Sequence, residues 1–421
     1  MKTRLSLFAF AAVIFQLCAA DIYVDYEKGK AANPGTKAAP YARFASAIKA
    51  AQPGDTIYIL PSTKPIRDTL VVRKKCGTAD KPIIIDGMNN IFLGTEPLDL
   101  KVWKEFKPGY LKRTMVASAS RTNRYFMVRD GKPHRMGRFN KAKGSKAYKK
   151  VEELQPGEWT IIRGKQVRKK VHKHDFILRL PEGAKTPAGF EEPLSRRISG
   201  VNIADECHYL TFRNIIVKNF LNDGYNIHGN CRNIRFENIA ALYCGDDGIS
   251  AHETCLIYVK NFIAIGCSTA ACHINKSENH HENVYAEQIL GRDLFFTDNT
   301  TNTFKNVWIK ANSIGGFRLT TRKNSVQNFT MTHARIINTN PKATAHIQNE
   351  GKLNAKFSDI KFANYSKVDK IYSASQVKPE DIAGEIEAAR KRLFALFNGQ
   401  IEKALALFAL SNGQIEKALA L

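Results

Sequence analysis

The sequence predicts an all-β protein, a right-handed parallel β-helix, and three observations support this fold class. A phrase of the form apolar–x–Asn–apolar–apolar recurs from residue 209 onward, and Asn214, Asn238 and Asn261 follow one another by 24 and 23 residues. A period in this range indicates a repeat architecture. Each copy is a short run rich in Ile, Val and Phe, as strands are, and contains no helical stretch. Coils of this length fit a solenoid whose strands stack roughly 4.8 Å apart, so equivalent residues should form ladders.

The first 20 residues have the pattern of a secretory signal peptide. Lys2 and Arg4 precede an apolar run over residues 5–17, which ends at Cys18-Ala-Ala. That run is too short to span a bilayer comfortably, and no later stretch is apolar enough to do so. We therefore expect cleavage after Ala20 and a secreted or periplasmic protein without a membrane span, with a monomer as the default.

Residues 21–100 are expected to form an N-terminal cap and the first coils. Short β patterns occur at residues 21–24, 56–60 and 81–87. Between them, apolar residues at helical spacing predict a short amphipathic helix over residues 40–52. This helix would cover the open end of the solenoid, where exposed strand edges invite aggregation.

Residues 101–200 interrupt the repeat and carry much of the positive charge. Of the formal net charge of +25, this stretch contributes +17, from 26 Lys and Arg against 9 Asp and Glu. Turns at Asp130-Gly131, Pro156-Gly157 and Pro181-Glu-Gly183 predict an antiparallel β insertion that folds over one face of the solenoid and lines its groove. A secreted basic protein meets few nucleic acids, so an acidic polysaccharide is the expected partner. A solvated surface without a partner is the alternative.

Residues 201–370 hold the coils in which chemistry is expected. Three coils align as Asp223 to His228, Asp247 to His252, and Ser268 to His273. Because side chains alternate along a strand, one outward column is predicted, formed by His228, His252, His273 and Asp298. A second column would hold Asn226, Ser250 and Arg318, and a third Thr254, Asn275 and Arg322.

Carboxylates concentrate on two of these coils. Asp223 and Asp247 share a register, so their backbones should lie about 4.8 Å apart, and Asp246 and Glu253 add two more carboxylates. Groups this close either share a proton or hold a cation such as calcium, with Asp223 and Asp247 as the candidate ligands. The alternative is that Asp-Gly is ordinary turn chemistry.

Basic and titratable groups complete the candidate site. His252 is a candidate acid or base near neutral pH, and Lys276 could abstract a proton next to a carboxylate. Arg318 and Arg322 would neutralise the developing charge. His228, His273 and Glu253 are candidate substrate contacts. Inert stacked imidazoles and ordinary surface cations are the alternatives.

Two further features are predicted to be structural. Cys231 and Cys255 occupy equivalent positions and form either a disulfide or an unpaired ladder. Residues 371–421 have helical composition, and the segments 394–407 and 408–421 match at 13 of 14 positions. Fourteen residues are two heptads, which keeps an apolar face in register. We expect a duplicated helical tail that caps the solenoid or simply extends from it.

Several motifs resemble the pectin-lyase-like β-helix superfamily. Ile274-Asn-Lys276-Ser277, followed by Glu282-Asn-Val-Tyr285, looks like the coil of chondroitinase B and alginate lyases in which the matching Lys is the base. The stretch from Asp247 to Glu253 resembles mannuronan C5-epimerases, with their His and Glu kept. Asn222-Asp223-Gly224 followed by Asp246-Asp247 resembles polygalacturonases, which hydrolyse with aspartates.

The resemblance implies an enzyme that acts on an acidic polysaccharide, and β-elimination is the favoured reaction. Lys276 or His252 would be the base, and Asp223, Asp246 and Asp247 would bind calcium or the sugar. A glycoside hydrolase that uses two of these aspartates and a uronan C5-epimerase are alternatives. A non-catalytic glycan-binding or adhesin solenoid is another, and it predicts a His column buried under the insertion.

Overall fold

The structure is a computed structural model that describes residues 19–136, 148–194, 198–312, 316–340 and 342–406. Most of the predicted signal peptide and the second copy of the duplicated segment lie outside these residues. None of the described helices is long and apolar enough to cross a membrane.

Strands make up about half of the described chain. In chain order they are β1 (Asp21–Val24), β2 (Thr56–Ile59), β3 (Leu70–Arg73), β4 (Ile83–Leu93), β5 (Thr95–Pro97), β6 (Lys104–Lys107), β7 (Tyr110–Ser118), β8 (Met127–Arg129), β9 (Lys132–His134), β10 (Trp159–Arg168), β11 (Val171–Arg179), β12 (Phe190–Pro193), β13 (Val201–Ala204), β14 (His208–Lys218), β15 (Tyr225–Ile227), β16 (Arg232–Leu242), β17 (Asp247–Ala251), β18 (Leu256–Ile265), β19 (Thr269–His273), β20 (Glu278–Glu287), β21 (Arg292–Thr297), β22 (Thr301–Ala311), β23 (Arg318–Thr321), β24 (Val326–Asn338), β25 (Thr344–Asn349), β26 (Lys352–Ala363), β27 (Lys367–Val368) and β28 (Ser375–Gln376). The α-helices are α1 (Phe44–Ala50), α2 (Ala119–Arg124), α3 (Glu380–Ala395) and α4 (Gln400–Ala406), and single 3-10 turns occur at Val151–Glu153 and Lys370–Tyr372.

Two parallel sheets share the coils between them. The long sheet has eleven strands in the order β1-β2-β4-β14-β16-β18-β20-β22-β24-β26-β28. The short sheet has nine, in the order β27-β25-β23-β21-β19-β17-β15-β13-β3. Strands one coil apart pair in parallel, as β16 does with β18 and β15 with β17. The predicted parallel β-helix is therefore confirmed.

The core lies between these two sheets. It is built from inward side chains of every coil, and aromatic rings stack on one another from coil to coil, as Phe212 does on Phe236 with centroids 5.6 Å apart. Fully burying one such side chain contributes about 1.5–3 kcal/mol. The stack of equivalent apolar positions therefore keeps neighbouring coils in register.

An asparagine ladder explains the recurring phrase of the sequence. Its five residues have left-handed backbones, with φ between +52° and +60°: Asn214, Asn238, Asn261, Asn283 and Asn306. From Asn238 onward, each side-chain amide donates to the amide oxygen of the asparagine on the preceding coil over 2.8–3.0 Å, and Asn214 donates to the carboxylate of Asp86 over 3.0 Å. Asparagine tolerates this conformation better than most residues. The long strands therefore bend at the same place in every coil.

The N-terminal helix is shorter than predicted. α1 spans Phe44–Ala50 and buries Phe44, Ala47 and Ile48 in the core of the first coils. Its covering of the open end of the solenoid stays a prediction.

The insertion forms two antiparallel four-stranded sheets, as the turn motifs predicted. Their orders are β10-β11-β7-β6 and β5-β12-β8-β9. They have a separate apolar cluster around Trp103, Trp159 and Phe176, which Leu221 of the solenoid joins. Arg135 fixes the insertion to the coils by donating to the carbonyl oxygens of Cys244 (3.0 Å) and Gly266 (3.3 Å).

The C-terminal helices lie along the flank of the solenoid. α3 and α4 bury Ile386, Leu393 and Ile401 against outward apolar residues of the long sheet, from β4 to β26. The ammonium of Lys218 donates to the carbonyl oxygen of Ala404 over 2.7 Å, and burial lowers the pKa of Lys218 to about 7. The expectation that this segment caps the end of the solenoid is wrong for its described helices, because the apolar stripe that needs cover runs along the side.

The asparagine ladder predicts the outcome of two substitutions at one rung. Asn261→Gly keeps the left-handed backbone accessible but removes two side-chain hydrogen bonds, so the free energy of unfolding should fall by about 1–3 kcal/mol. Asn261→Ala should cost about 1–2 kcal/mol more, because alanine disfavours that backbone. Denaturant unfolding of both variants measures the difference. Equal stability of the two variants would contradict the backbone argument.

Candidate functional site

The Asp-Gly pairs are explained by close packing inside the coil. Neither Gly224 nor Gly248 has a positive φ. A Cβ on Gly224 would lie 2.6 Å from the Cβ of Ala241, and one on Gly248 would lie 2.6 Å from the carbonyl oxygen of Ala270. Both glycines thus face inward, and the preceding aspartates face outward from the short sheet. The turn alternative does not account for these glycines.

Three aspartates meet at this outward face. One carboxylate oxygen from each of Asp223, Asp246 and Asp247 lies within 4.8 Å of the others. Each of the three residues is only 3% exposed. We call this group the acidic triad.

Polar neighbours hold the acidic triad in place. The side-chain amides of Asn222 and Asn226 donate to Asp223 over 3.0 and 2.8 Å, and the backbone N–H of Asp247 donates to the other oxygen over 3.1 Å. Arg124 of α2 pairs with Asp246 at 2.8 Å. The insertion therefore reaches the acidic triad through one arginine.

The donor set of the acidic triad fits a hard cation. Within the described part of the chain, three buried oxygens near the triad have no hydrogen-bond partner: Asn226 Oδ1, Ser268 Oγ and Thr269 Oγ1. Calcium prefers carboxylate, amide and hydroxyl oxygens in number.

A stacked imidazole pair occupies the other end of the same strands. The rings of His228 and His252 lie 4.1 Å apart at an interplanar angle of 8°. His228 Nδ1 is 3.2 Å from a carboxylate oxygen of Glu253, and His252 Nε2 is 2.5 Å from the hydroxyl of Ser250. His228 and His252 share the column predicted for them.

A groove of about 410 Å³ opens beside these imidazoles. It is lined by Arg73, Ile198, Ser199, Asn202, Ala204, Asp205, Asn226, His228, Gly229 and Glu253. The His228 side chain is 41% exposed. The adhesin interpretation required a buried His column, and this open groove contradicts that requirement. Ile198 and Ser199, at the end of the predicted insertion, are among the lining residues, and none of its described strands contributes one.

The predicted outward position of His273 is wrong. Asp247 pairs with Thr269, not with Ser268, so His273 pairs with Ala251 and faces the core with 0% exposure. A slip of one residue moves every side chain to the other face. Cys272 takes the outward place beside Ser250.

His273 instead forms a buried imidazole pair. Its Nδ1 accepts from the backbone N–H of Ala251 over 3.2 Å, and its Nε2 lies 2.8 Å from Nε2 of His281. Since Nδ1 of His273 accepts a hydrogen bond, its Nε2 carries the proton. This N–H donates a hydrogen bond to Nε2 of His281. Burial lowers the pKa of His273 well below its usual range and that of His281 to about 3.

A second register error, in the opposite direction, displaces Asp298. Thr297 pairs with Thr320, so Asp298 lies one position beyond the His column. Its backbone is left-handed, with φ +66°, and its carboxylate pairs with Arg322 at 3.3 Å. Asp298 therefore fixes Arg322 rather than extending the column.

Lys276 lies at the imidazole end of the site. It is exposed in the turn after β19, and its backbone N–H donates to the carbonyl oxygen of Glu253 over 2.9 Å. The Cα atoms of Asp247 and His252 are five residues apart along the chain, or about 16 Å. The structure thus brings Lys276 close to Glu253 and keeps it away from the acidic triad.

Arg318 shares the column of Asn226 and Ser250, as predicted. Cys272 and Phe295 stand between Ser250 and Arg318. Three coil steps separate them, about 14 Å. The arginines therefore flank the site toward the C-terminal coils.

Sequence reasoning missed three arginines. Arg292 follows Asp247 and Thr269 in one column, with its guanidinium 4.3 Å from the ring centroid of Phe295. A correct register would have found it. Arg73 lies in the column of His228, two coils earlier. Arg124 comes from the insertion, and no sequence pattern links it to the triad.

The cysteines of the described coils form an unpaired ladder. Cys207, Cys231 and Cys255 have free thiols at equivalent places of three coils. Each donates to a nearby backbone carbonyl over 3.0–3.4 Å. Of the two alternatives for Cys231 and Cys255, the ladder without a disulfide is observed.

Comparisons with known proteins give structural likeness only. No family model matches the chain, and no curated protein matches it. Among solved structures, the pectate lyase Pel9A is 12% identical with a TM-score of 0.46, covering 84% of this chain and 74% of that one. XylC in complex with xylose is 10% identical with a TM-score of 0.44, covering 82% and 69%. A glycoside hydrolase is 10% identical with a TM-score of 0.40, covering 84% and 98%. The assignment of the fold rests on strand pairing.

The buried imidazole pair predicts acid sensitivity. The ordinary pKa of 6.5 applies in the unfolded chain, and the folded values are lower. Below pH 6.5 the unfolded chain therefore binds more protons, and the free energy of unfolding falls by up to about 1.4 kcal/mol per pH unit for each histidine. The double variant His273→Leu, His281→Leu should show a weaker dependence on pH.

Denaturant unfolding between neutral and mildly acidic pH measures this effect. His280→Leu is the matched control, because His280 lies on the same strand and is 30% exposed. The double variant would count against the argument if its stability fell with pH as steeply as that of the unmodified protein.

Proposed function

We propose that the protein is a carbohydrate-active enzyme that cleaves an acidic polysaccharide by β-elimination. The polymer would lie along the outward face of the short sheet, across successive coils. The observation that carries the proposal is the chemistry of this single face. It combines the acidic triad, an open groove with stacked imidazoles, and arginines in the same columns.

The groove would hold the sugar that reacts. The carboxylate of this sugar would pair with Arg73, which lies in the column of His228 and is 54% exposed. His252 or Lys276 would take the proton next to that carboxylate, since both lie at this end of the strands. The electron pair would form the double bond as the glycosidic C–O bond breaks, and the leaving oxygen would receive a proton. Positive charge near the carboxylate would stabilise the intermediate anion.

The acidic triad would serve a neighbouring sugar. Asn226 donates to Asp223 and also lines the groove, so the acidic triad lies next to the groove. Asp223, Asp246 and Asp247, with the amide oxygen of Asn226, would hold calcium, which would bind the carboxylate of the next unit. Arg292 and Arg318 would contact units farther along.

A panel of acidic polysaccharides tests the reaction. Elimination yields an unsaturated uronate, whose ultraviolet absorbance should rise with time, and chelation of calcium should slow that rise. Calcium binding to Asp247→Asn, followed by calorimetry, should be weaker than binding to the unmodified protein. Unaltered calcium binding would remove the metal from the proposal.

Two variants identify the base. His252→Ala and Lys276→Ala are each compared with Lys305→Ala, an exposed lysine of the long sheet. Loss of the base should lower kcat by about 10²–10⁴-fold, and the control should keep full activity. Equal activity of all three variants would exclude both residues as the base.

Hydrolysis is the second candidate, and the acidic triad favours it. Its oxygens lie within 4.8 Å of one another, close to the roughly 5–5.5 Å of retaining glycosidases and short of the roughly 6.5–9.5 Å of inverting ones. New reducing ends without unsaturated product, lost in Asp247→Asn, would replace elimination by hydrolysis.

A further inference from the structure

The hairpin of β10 and β11 ends in a segment rich in Lys and Arg. Residues 162–173, which we call the basic ribbon, contain six Lys and Arg and no Asp or Glu: Arg163, Lys165, Arg168, Lys169, Lys170 and Lys173. The nine residues from 162 to 170 are all exposed, on both faces of the strand. The basic ribbon therefore projects from the body of the insertion.

These cations lack carboxylate partners. Within the described ranges, no Asp or Glu lies within ion-pair distance of any of the six. Asp175, the nearest acidic residue in sequence, accepts from Thr114 at 2.6 Å and pairs with Lys112. Like charges this close repel one another, so an anionic ligand would relieve a cost that the folded chain does not offset.

The backbone of the basic ribbon spreads its cations to both sides. The pairing of β10 with β11 slips on either side of Gln166. A Cβ at Gly164 would lie 2.2 Å from the carbonyl oxygen of Lys173, so glycine is needed for this close approach. His172 accepts from Arg163 over 2.8 Å. The seven residues from 162 to 168 extend about 23 Å, which is suited to a linear polyanion.

The composition of the basic ribbon disfavours single-stranded nucleic acids and insertion into a membrane. It contains no Phe, Tyr or Trp, and single-stranded nucleic acids are bound through aromatic stacking. Its exposed apolar residues are Ile162 and Val167, too few and too separate for the continuous apolar face that enters a bilayer.

The basic ribbon is joined closely to the candidate site. At its turn, Val171 pairs with Ser118, the residue that precedes α2. α2 is six residues long, about 9 Å, and its last residue, Arg124, pairs with Asp246 of the acidic triad. A polymer chain that leaves the acidic triad can therefore reach the basic ribbon.

We propose that the basic ribbon is a second binding site for the acidic polysaccharide, separate from the groove where the bond is cleaved. This inference rests on the proposed function for the identity of the polymer. The cations would pair with successive carboxylate or sulfate groups and release their counterions. The basic ribbon would thus hold a long chain close to the groove without taking part in the reaction.

Charge removal in the turn tests the proposal. The triple variant Arg168→Ser, Lys169→Ser, Lys170→Ser is compared with Lys260→Ser, Lys305→Ser, Lys356→Ser, which removes the same charge from exposed positions of the long sheet. Binding of the full-length protein to immobilised polygalacturonate, alginate and chondroitin sulfate is measured at several salt concentrations. The variant in the basic ribbon should bind roughly tenfold or more weakly and depend less on salt, while the control changes little.

Two results would overturn the proposal. They are unchanged binding of the ribbon variant and equal weakening of both triple variants. Product formation on the same polymers is followed separately. A protein that binds through the basic ribbon but forms no product would refute the proposed function alone. A protein that cleaves with ribbon-independent binding would refute this inference alone.

Discussion

The parallel hydrogen bonding between successive coils is the constraint on which the rest of the structure depends. It fixes which residue of one coil lies beside which residue of the next, and the asparagine ladder bends every long strand at the same position. Columns of equivalent side chains result from this register. The acidic triad and the imidazole pair exist because residues 24 positions apart are brought to strand spacing.

The fold was accessible from the sequence because it depends on a repeat, and a repeat can be recognised without exact alignment. Asn214, Asn238 and Asn261 mark the period even though their left-handed backbones were not foreseen. The site was harder to predict from the sequence, because the face to which a side chain points changes when the strand register shifts by one residue. The step from Asp247 to Thr269 is 22 residues, and assigning 21 placed His273 on the surface instead of in the core. Contacts made by the insertion, such as that of Arg124 with Asp246, join segments whose sequences share no pattern.

Carboxylates and cations are concentrated on separate parts of the molecule. The outward face of the short sheet carries its carboxylates on two neighbouring coils and its arginines on the coils beyond them. The insertion concentrates unpaired cations at one hairpin while it neutralises one aspartate of the acidic triad. Under the two proposals, binding of a long anionic chain and activation of one sugar unit belong to different surfaces, and substitutions should alter them separately.

The helices along the flank change how such a chain acquires its structure. A stack of coils needs only nearest neighbours and can grow from one end. Here the last described helix covers Ile91 and Ile216 of the first coils, and Lys218 holds the backbone of Ala404, 186 residues later. During synthesis, those early apolar residues lack this cover until residues 380–406 have been made. Helices α3 and α4 therefore add contacts between distant parts of the sequence to a stack that otherwise depends on neighbouring coils.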